Sequence, residues 1–194
     1  MGIEYELKFQ ATEKAQSAIL KAFCGIPCLE YEMETTYYDT PSGALSARHY
    51  TLRRRMENDL SVCTLKTPAG NLGRNEIEIF CADILTAIPQ MTDAPADFQA
   101  LVAEGLIAVC GAKFHRIAMM LKFQDCRLEL ALDSGVLTGG GKEIPLCEVE
   151  VELKSGSTES ADIFALELAT RYGLLPETKS KFRRALSLYK GEIV

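Results

Sequence analysis

Tryptophan is absent from the 194-residue chain, histidine occurs only at His49 and His115, and no apolar run approaches a bilayer span, which takes about 18 residues or more. With two isolated histidines and no Ser or Cys motif beside them, a catalytic triad or a His-rich metal centre is a poor fit. Basic residues are outnumbered, 21 against 27 acidic ones, for a net charge of −6; that balance argues against nucleic acid or an anionic membrane as partner. Charges at Glu4, Glu6 and Lys8 exclude a signal peptide at the start, and Glu6 stands where a myristoylated Gly2 would need Ser or Thr. Seven cysteines are an odd number, and Cys24 and Cys28 are the one close pair. Without a second pair there is no zinc framework, and the reading is reduced, buried thiols in a cytoplasmic protein. No repeat, linker or low-complexity stretch divides the sequence, so one domain, 1–194, is expected.

What is present in abundance is alternation. Ile3, Tyr5, Leu7 and Phe9 interleave with Glu4, Glu6, Lys8 and Gln10, the period of a strand. Thr12 to Phe23 reads as a helix with Thr12 as its N-cap, ended by Gly25 and Pro27. Further strands are expected at Thr35–Asp39, Tyr50–Met56, Leu60–Thr67, Arg74–Phe80, Phe114–Phe123, Cys126–Asp133 and Leu146–Leu153. Ala96–Val109 is rich in helix formers. Ser157 or Thr158 caps a helix to about Tyr172, closed by Gly173, and a basic helix runs from about Ser180 to Tyr189. The sum is an α+β chain with about eight strands.

The alternate positions carry charge of segregated sign. Carboxylates gather on the first, middle and last strands: Glu4 and Glu6; Glu76 and Glu78; Glu129 and Asp133; Glu148, Glu150 and Glu152. Cations gather on the hairpin, at Arg53, Arg55 and Lys66, with Arg74, Arg116 and Lys122 on other strands. An antiparallel sheet with one solvated face alternates in this way. A sheet of eight strands also closes into a barrel, and its charged face then points inward, where charges need partners or ions. Periodicity by itself does not choose between the two.

A resemblance does. Glu4-Tyr5-Glu6-Leu7-Lys8 resembles the E-x-E-x-K signature of the CYTH superfamily, the triphosphate tunnel metalloenzymes. In family order there follow Tyr37-Tyr38-Asp39-Thr40-Pro41, Leu52-Arg53-Arg54-Arg55, Thr64-Leu65-Lys66, Arg74-Asn75-Glu76-Ile77-Glu78, Glu148 to Glu152, and Ser180-Lys181 with Arg184. The fold this implies is an eight-stranded antiparallel β-barrel tunnel with flanking helices. The implied metal ligands are Glu4, Glu6, Asp133, Glu148, Glu150 and Glu152, for one or two Mg²⁺ or Mn²⁺ ions, hard cations suited to carboxylates. The implied phosphate cradle is Lys8, Arg53, Arg55, Lys66, Arg74, Arg116, Lys181 and Arg184, and the catalytic candidates are Glu4, Glu6, Lys8, Glu76 and Glu78.

The activity implied is metal-dependent hydrolysis of inorganic triphosphate, or of the terminal phosphate of a small organic triphosphate, by a monomer or homodimer. Thiamine triphosphatase and class IV adenylate cyclase are the alternatives within the resemblance, and a polyphosphate- or nucleotide-binding module is the alternative outside catalysis. No aromatic clamp for an organic head group is evident from the sequence.

Overall fold

The computed structural model describes residues 5–69 and 74–192, so Glu4 lies outside the described residues. The element order is β1 (Glu6–Gln10), α1 (Glu13–Ala22), β2 (Cys28–Asp39), α2 (Ala44–Ala47), β3 (Thr51–Glu57), β4 (Leu60–Pro68), β5 (Arg74–Phe80), α3 (Ile84–Ala87), α4 (Phe98–Val102), β6 (Ile107–Phe123), β7 (Cys126–Gly139), β8 (Lys142–Ser155), α5 (Thr158–Tyr172), β9 (Leu175–Pro176) and α6 (Lys181–Lys190). All strands join one antiparallel sheet in the order β5-β4-β3-β2-β6-β7-β8-β1-β9. Among the described residues the sheet thus has nine strands rather than eight. It is open, barrel-like rather than closed, with β5 and the two-residue β9 at its ends.

Directly paired residues share a face, so the register traces one side across the sheet. Glu6, Glu152 and Glu129 form one row. Glu148, Asp133, Arg116 and Tyr31 form another. Tyr37, Arg53, Thr64 and Glu78 form a third, and Thr51, Lys66 and Glu76 a fourth. This side is concave and encloses a cavity of about 420 Å³. The opposite side is apolar and helix-covered. Leu128, Leu130, Leu132, Val149 and Val151 pack against Ile19 of α1 and Phe164, Ala165 and Leu168 of α5. Leu52, Cys63 and Leu65 pack under Leu45, Ile84, Ala87 and Phe98 from α2, α3 and α4. Each such Val, Leu, Ile or Phe side chain contributes about 1.5–3 kcal/mol relative to exposure. Where neither helical layer reaches, the outer side is polar: Glu30 and Glu32 flank His115 at 3.2 and 2.9 Å.

The last helix, α6, lies on the concave side instead. Its buried stripe is Lys181, Arg184, Ala185 and Leu188, the i, i+3, i+4, i+7 pattern of one helical face. Ala185 and Leu188 join Met33, Tyr37, Phe114, Leu137 and Leu146 in a core that fills one end of the trough. Close approach requires Gly139 on β7, because an added Cβ would sit 2.4 Å from the Ala185 carbonyl oxygen. The adjoining Gly140 and Gly141 take φ of 59° and 73°, the two positive values of a tight hairpin turn. Ser180 caps α6 by accepting from the Arg183 amide at 3.2 Å.

Several expectations shift. β2 begins at Cys28, not Thr35, and the helix-forming stretch Ala96–Val109 yields only α4 before Gly105, at φ 100°, turns the chain into β6. Cys24 and Cys28 are exposed rather than buried. Burial pushes the Cys63 thiol up to about 11 and the Cys110 thiol to about 12, which keeps both protonated. No described helix is long and apolar enough to cross a membrane.

Asp39 shows what the Tyr-Tyr-Asp-Thr-Pro turn is for. Buried, its carboxylate accepts from the amides of Thr40, Leu45 and Ser46 at 2.8–3.2 Å and from the Ser46 hydroxyl. Asp39→Ala strands those donors, and a loss of about 2–4 kcal/mol is expected, read by chemical denaturation; a change under 0.5 kcal/mol would contradict it.

Candidate active site

The cavity wall is divided by charge. Glu6 and Lys8 come from β1, Glu150, Glu152 and Lys154 from β8, and Glu129 from β7. Facing them are Arg53, Arg55 and Glu57 from β3, Lys66 from β4, and Arg74, Glu76 and Glu78 from β5. Arg116 of β6 and Lys181 of α6 stand where the two walls meet.

On the basic side, Glu76 pairs with Arg53 at 3.5 Å and Lys66 at 3.2 Å, and Arg55 pairs with Glu57. Glu78 accepts from the Thr64 hydroxyl at 3.5 Å. Arg74 donates to the His49 carbonyl at 2.7 Å and to Thr51 at 3.1 Å, so the positive-φ turn at His49 serves to hold a cation at the rim. The Nε atoms of Arg53 and Arg55 are buried without a hydrogen-bond partner. Burial, and then the Arg53 charge beside it, lower the Arg55 pKa; Glu57 offsets this in part. Two adjacent guanidinium groups with orphaned donors call for an anion.

On the acidic side, Glu6, Glu152 and Glu129 stand directly opposite one another on β1, β8 and β7, an arrangement of like charges that is destabilising unless a cation intervenes. Lys8 approaches Glu6 at 3.6 Å, and Lys154 reaches Glu152 at 2.7 Å and Glu129 at 3.5 Å. All donors in this row are carboxylate oxygens open to the lumen, a set that fits a hard divalent cation.

Asp133, Glu148 and Glu150 converge, with one oxygen from each within 4.8 Å of the others. Asp133 and Glu148 have no exposed side-chain surface. The Lys181 ammonium sits among all three at 2.8, 2.6 and 2.5 Å. Arg116 forks onto Asp133 with two bonds of 2.7 Å and also contacts Glu150. Arg184 binds Glu148 and lies 3.6 Å from Glu177. Burial works to raise the Glu150 pKa, but Lys181 and Arg116 outweigh it and hold the carboxyl well below its usual range. The same carboxylates outweigh the burial of Lys181 and raise its pKa.

The structure therefore brings Glu6, Lys8, Arg53, Arg55, Lys66, Arg74, Glu76, Glu78, Arg116, Glu150, Glu152 and Lys181 to one cavity. It sets Asp133, Glu148 and Arg184 behind its wall, under α6. Sequence reading passed over Lys154 and Glu57, although each continues an alternation already noted, Glu148-Glu150-Glu152 in one case and Arg53-Arg55 in the other. Gln16 carries no such signal: from α1 its amide donates to the carbonyls of Asp133 and Glu148 at 3.0 and 2.8 Å.

Comparison with known proteins agrees with this architecture. The chain is 27% identical over 192 residues to an inorganic triphosphatase of Haemophilus influenzae, covering 95% of this chain and 54% of that one; it spans about half the length of that curated relative. Among solved structures it is similar to a putative adenylyl cyclase from Hippeastrum described as having a dominant triphosphatase activity (TM-score 0.63, 16% identity, 99% and 98% of the two chains). It is also similar to a Pyrococcus horikoshii protein (TM-score 0.63, 19% identity, 95% and 99%) and a putative adenylate cyclase from Bacillus halodurans (TM-score 0.60, 14% identity, 94% and 96%). At these identities the structural likenesses speak for the fold. The CYTH-domain pattern itself matches residues 2–186, nearly the whole length, and the chain belongs to the CYTH-domain family.

Proposed function

We propose that this protein hydrolyses a terminal phosphoric anhydride bond of a triphosphate held along the cavity, with inorganic triphosphate as substrate and Mg²⁺ or Mn²⁺ as cofactor. The observation that carries the reading is the pair Arg53 and Arg55, half-buried side by side with buried, unpartnered Nε donors and facing a carboxylate row. A polyanion alone would leave the row unexplained, and a cation alone would leave the arginines so. The activity of the Haemophilus influenzae relative supports the same choice.

Glu6, Glu152 and Glu129 would hold the divalent ion, which would supply Lewis-acid neutralisation of phosphate charge and an acidified water. The chain's own groups do the rest. Arg53, Arg55 and Arg74 present forks to phosphate oxygens, while Lys66 and Lys8 act as point charges. With Arg53 and Lys66 held by Glu76 and Arg55 by Glu57, these cations stabilise charge spreading over the transferred phosphoryl oxygens with little reorganisation.

An organic triphosphate is the second reading, favoured by one feature. Val62, Phe80, Tyr31 and Phe114 line the same cavity, and Phe80 is 70% exposed on its rim, a surface for a heterocyclic ring. Phosphate release from tripolyphosphate, pyrophosphate, ATP and thiamine triphosphate, with and without Mg²⁺ or Mn²⁺, separates these readings, with cyclic AMP followed as a distinct product. Tripolyphosphate is expected to be cleaved fastest, and Glu6→Ala to slow it by about 100-fold or more. Equal rates in Glu6→Ala would remove the acidic row from the chemistry, and tight triphosphate binding without product would make the protein a binding module.

A further inference from the structure

The carboxylate trio Asp133, Glu148 and Glu150 has the composition of a metal site, yet its centre is filled. Lys181 Nζ stands within 2.5–2.8 Å of an oxygen of each and 5.3 Å from the centre of the Phe114 ring. Charge is matched as well: the three carboxylates meet three cations, Lys181, Arg116 and Arg184, the last also 3.6 Å from Glu177. We infer that the Lys181 ammonium takes the place a second divalent cation would occupy, so that the channel holds a single metal ion, at the Glu6–Glu152–Glu129 row. This rests on the metal-dependent reading above.

The two acidic groups differ in how readily their lysines can leave. Lys154, over the row, has a side chain 35% exposed; a metal ion entering there releases an ammonium into water at small cost. Lys181 is 10% exposed and is carried on α6, whose Ala185 and Leu188 are buried in the trough. Withdrawing Lys181 means lifting the helix or leaving its charge in the wall beside Arg116, and an uncompensated buried charge is strongly unfavourable.

The test is the stoichiometry of Mn²⁺ bound to the full chain without substrate, measured by electron paramagnetic resonance and calorimetry. The wild type is expected to bind one equivalent, Asp133→Asn one equivalent, Glu152→Gln none, and Lys181→Met two. Two equivalents in the wild type overturn the inference while leaving metal dependence intact; none in the wild type overturns the metal-dependent reading itself. Loss of the single equivalent in Asp133→Asn, or one equivalent in folded Lys181→Met, also overturns the inference. The wild-type and Asp133→Asn measurements decide it if Lys181→Met does not fold.

Discussion

Arg55→Ala is expected to lower kcat/KM for tripolyphosphate by about 10²–10³-fold, the usual loss when one preorganised donor to developing charge is removed. The Nε of half-buried Arg55 is unpaired beside that of Arg53, so although Glu57 holds one terminal nitrogen, donor capacity remains for a ligand. Arg55→Lys should restore only part of the rate, since an ammonium cannot make the bidentate contact. Arg55→Ala should leave thermal stability unchanged or slightly higher, because it removes a cation that burial, and then the Arg53 charge beside it, disfavour. Loss of activity with gain of stability marks a residue selected for the ligand. Phosphate release and a melting curve on the same sample check both halves; an Arg55→Ala protein that turns over at the wild-type rate would remove the cradle.

Lys181→Ala carries the largest expected loss of stability. It leaves Asp133, Glu148 and Glu150 around an empty centre, and removing one partner from a buried ionic group costs about 3–5 kcal/mol, or roughly 10 °C in a chain of this size. The pH dependence follows from Glu150, whose folded pKa is depressed. A depressed carboxylate contributes stability that is fully present above its unfolded value, about 4.3, and is lost as pH falls through the folded one. Without Lys181 that depression shrinks. The gap between wild type and variant should therefore be widest near neutrality and narrow on acidification below about pH 4. Melting temperatures across pH 3–8 test this; a gap that widens in acid would contradict it.

How much of this was legible in the sequence depends on what alternation encodes. Period 2 assigns a residue to a face, and the charges of β1, β3, β5 and β8 did identify the side that turned out concave. It says nothing about position along a strand. Glu148 and Glu152 alternate identically, yet the first is sealed beneath α6 and the second faces the lumen, because the trough is plugged at one end by Ala185 and Leu188. The first half of β2 escaped notice for a related reason: its inner residues Tyr31 and Met33 are apolar and its outer ones Glu30, Glu32 and Glu34 solvated, which inverts the pattern of the neighbouring strands. In Ala96–Val109, helix propensity gave way to the pairing of Ile107 with Asp39, a tertiary contact no local window contains. The aromatic rim at Phe80 was hidden likewise, since its partner Val62 is brought near only by register.

The acidic row is assembled from strands far apart in sequence. Glu6 meets Glu152 only through the pairing of β1 with β8, about three-quarters of the chain away in sequence, and contacts of such separation form late. During synthesis the first strand must wait, unpaired on that side, until β8 has emerged from the ribosome. A chaperone that shelters that waiting segment would speed maturation more than one acting on the β3–β4 hairpin, which can zip up as soon as it emerges.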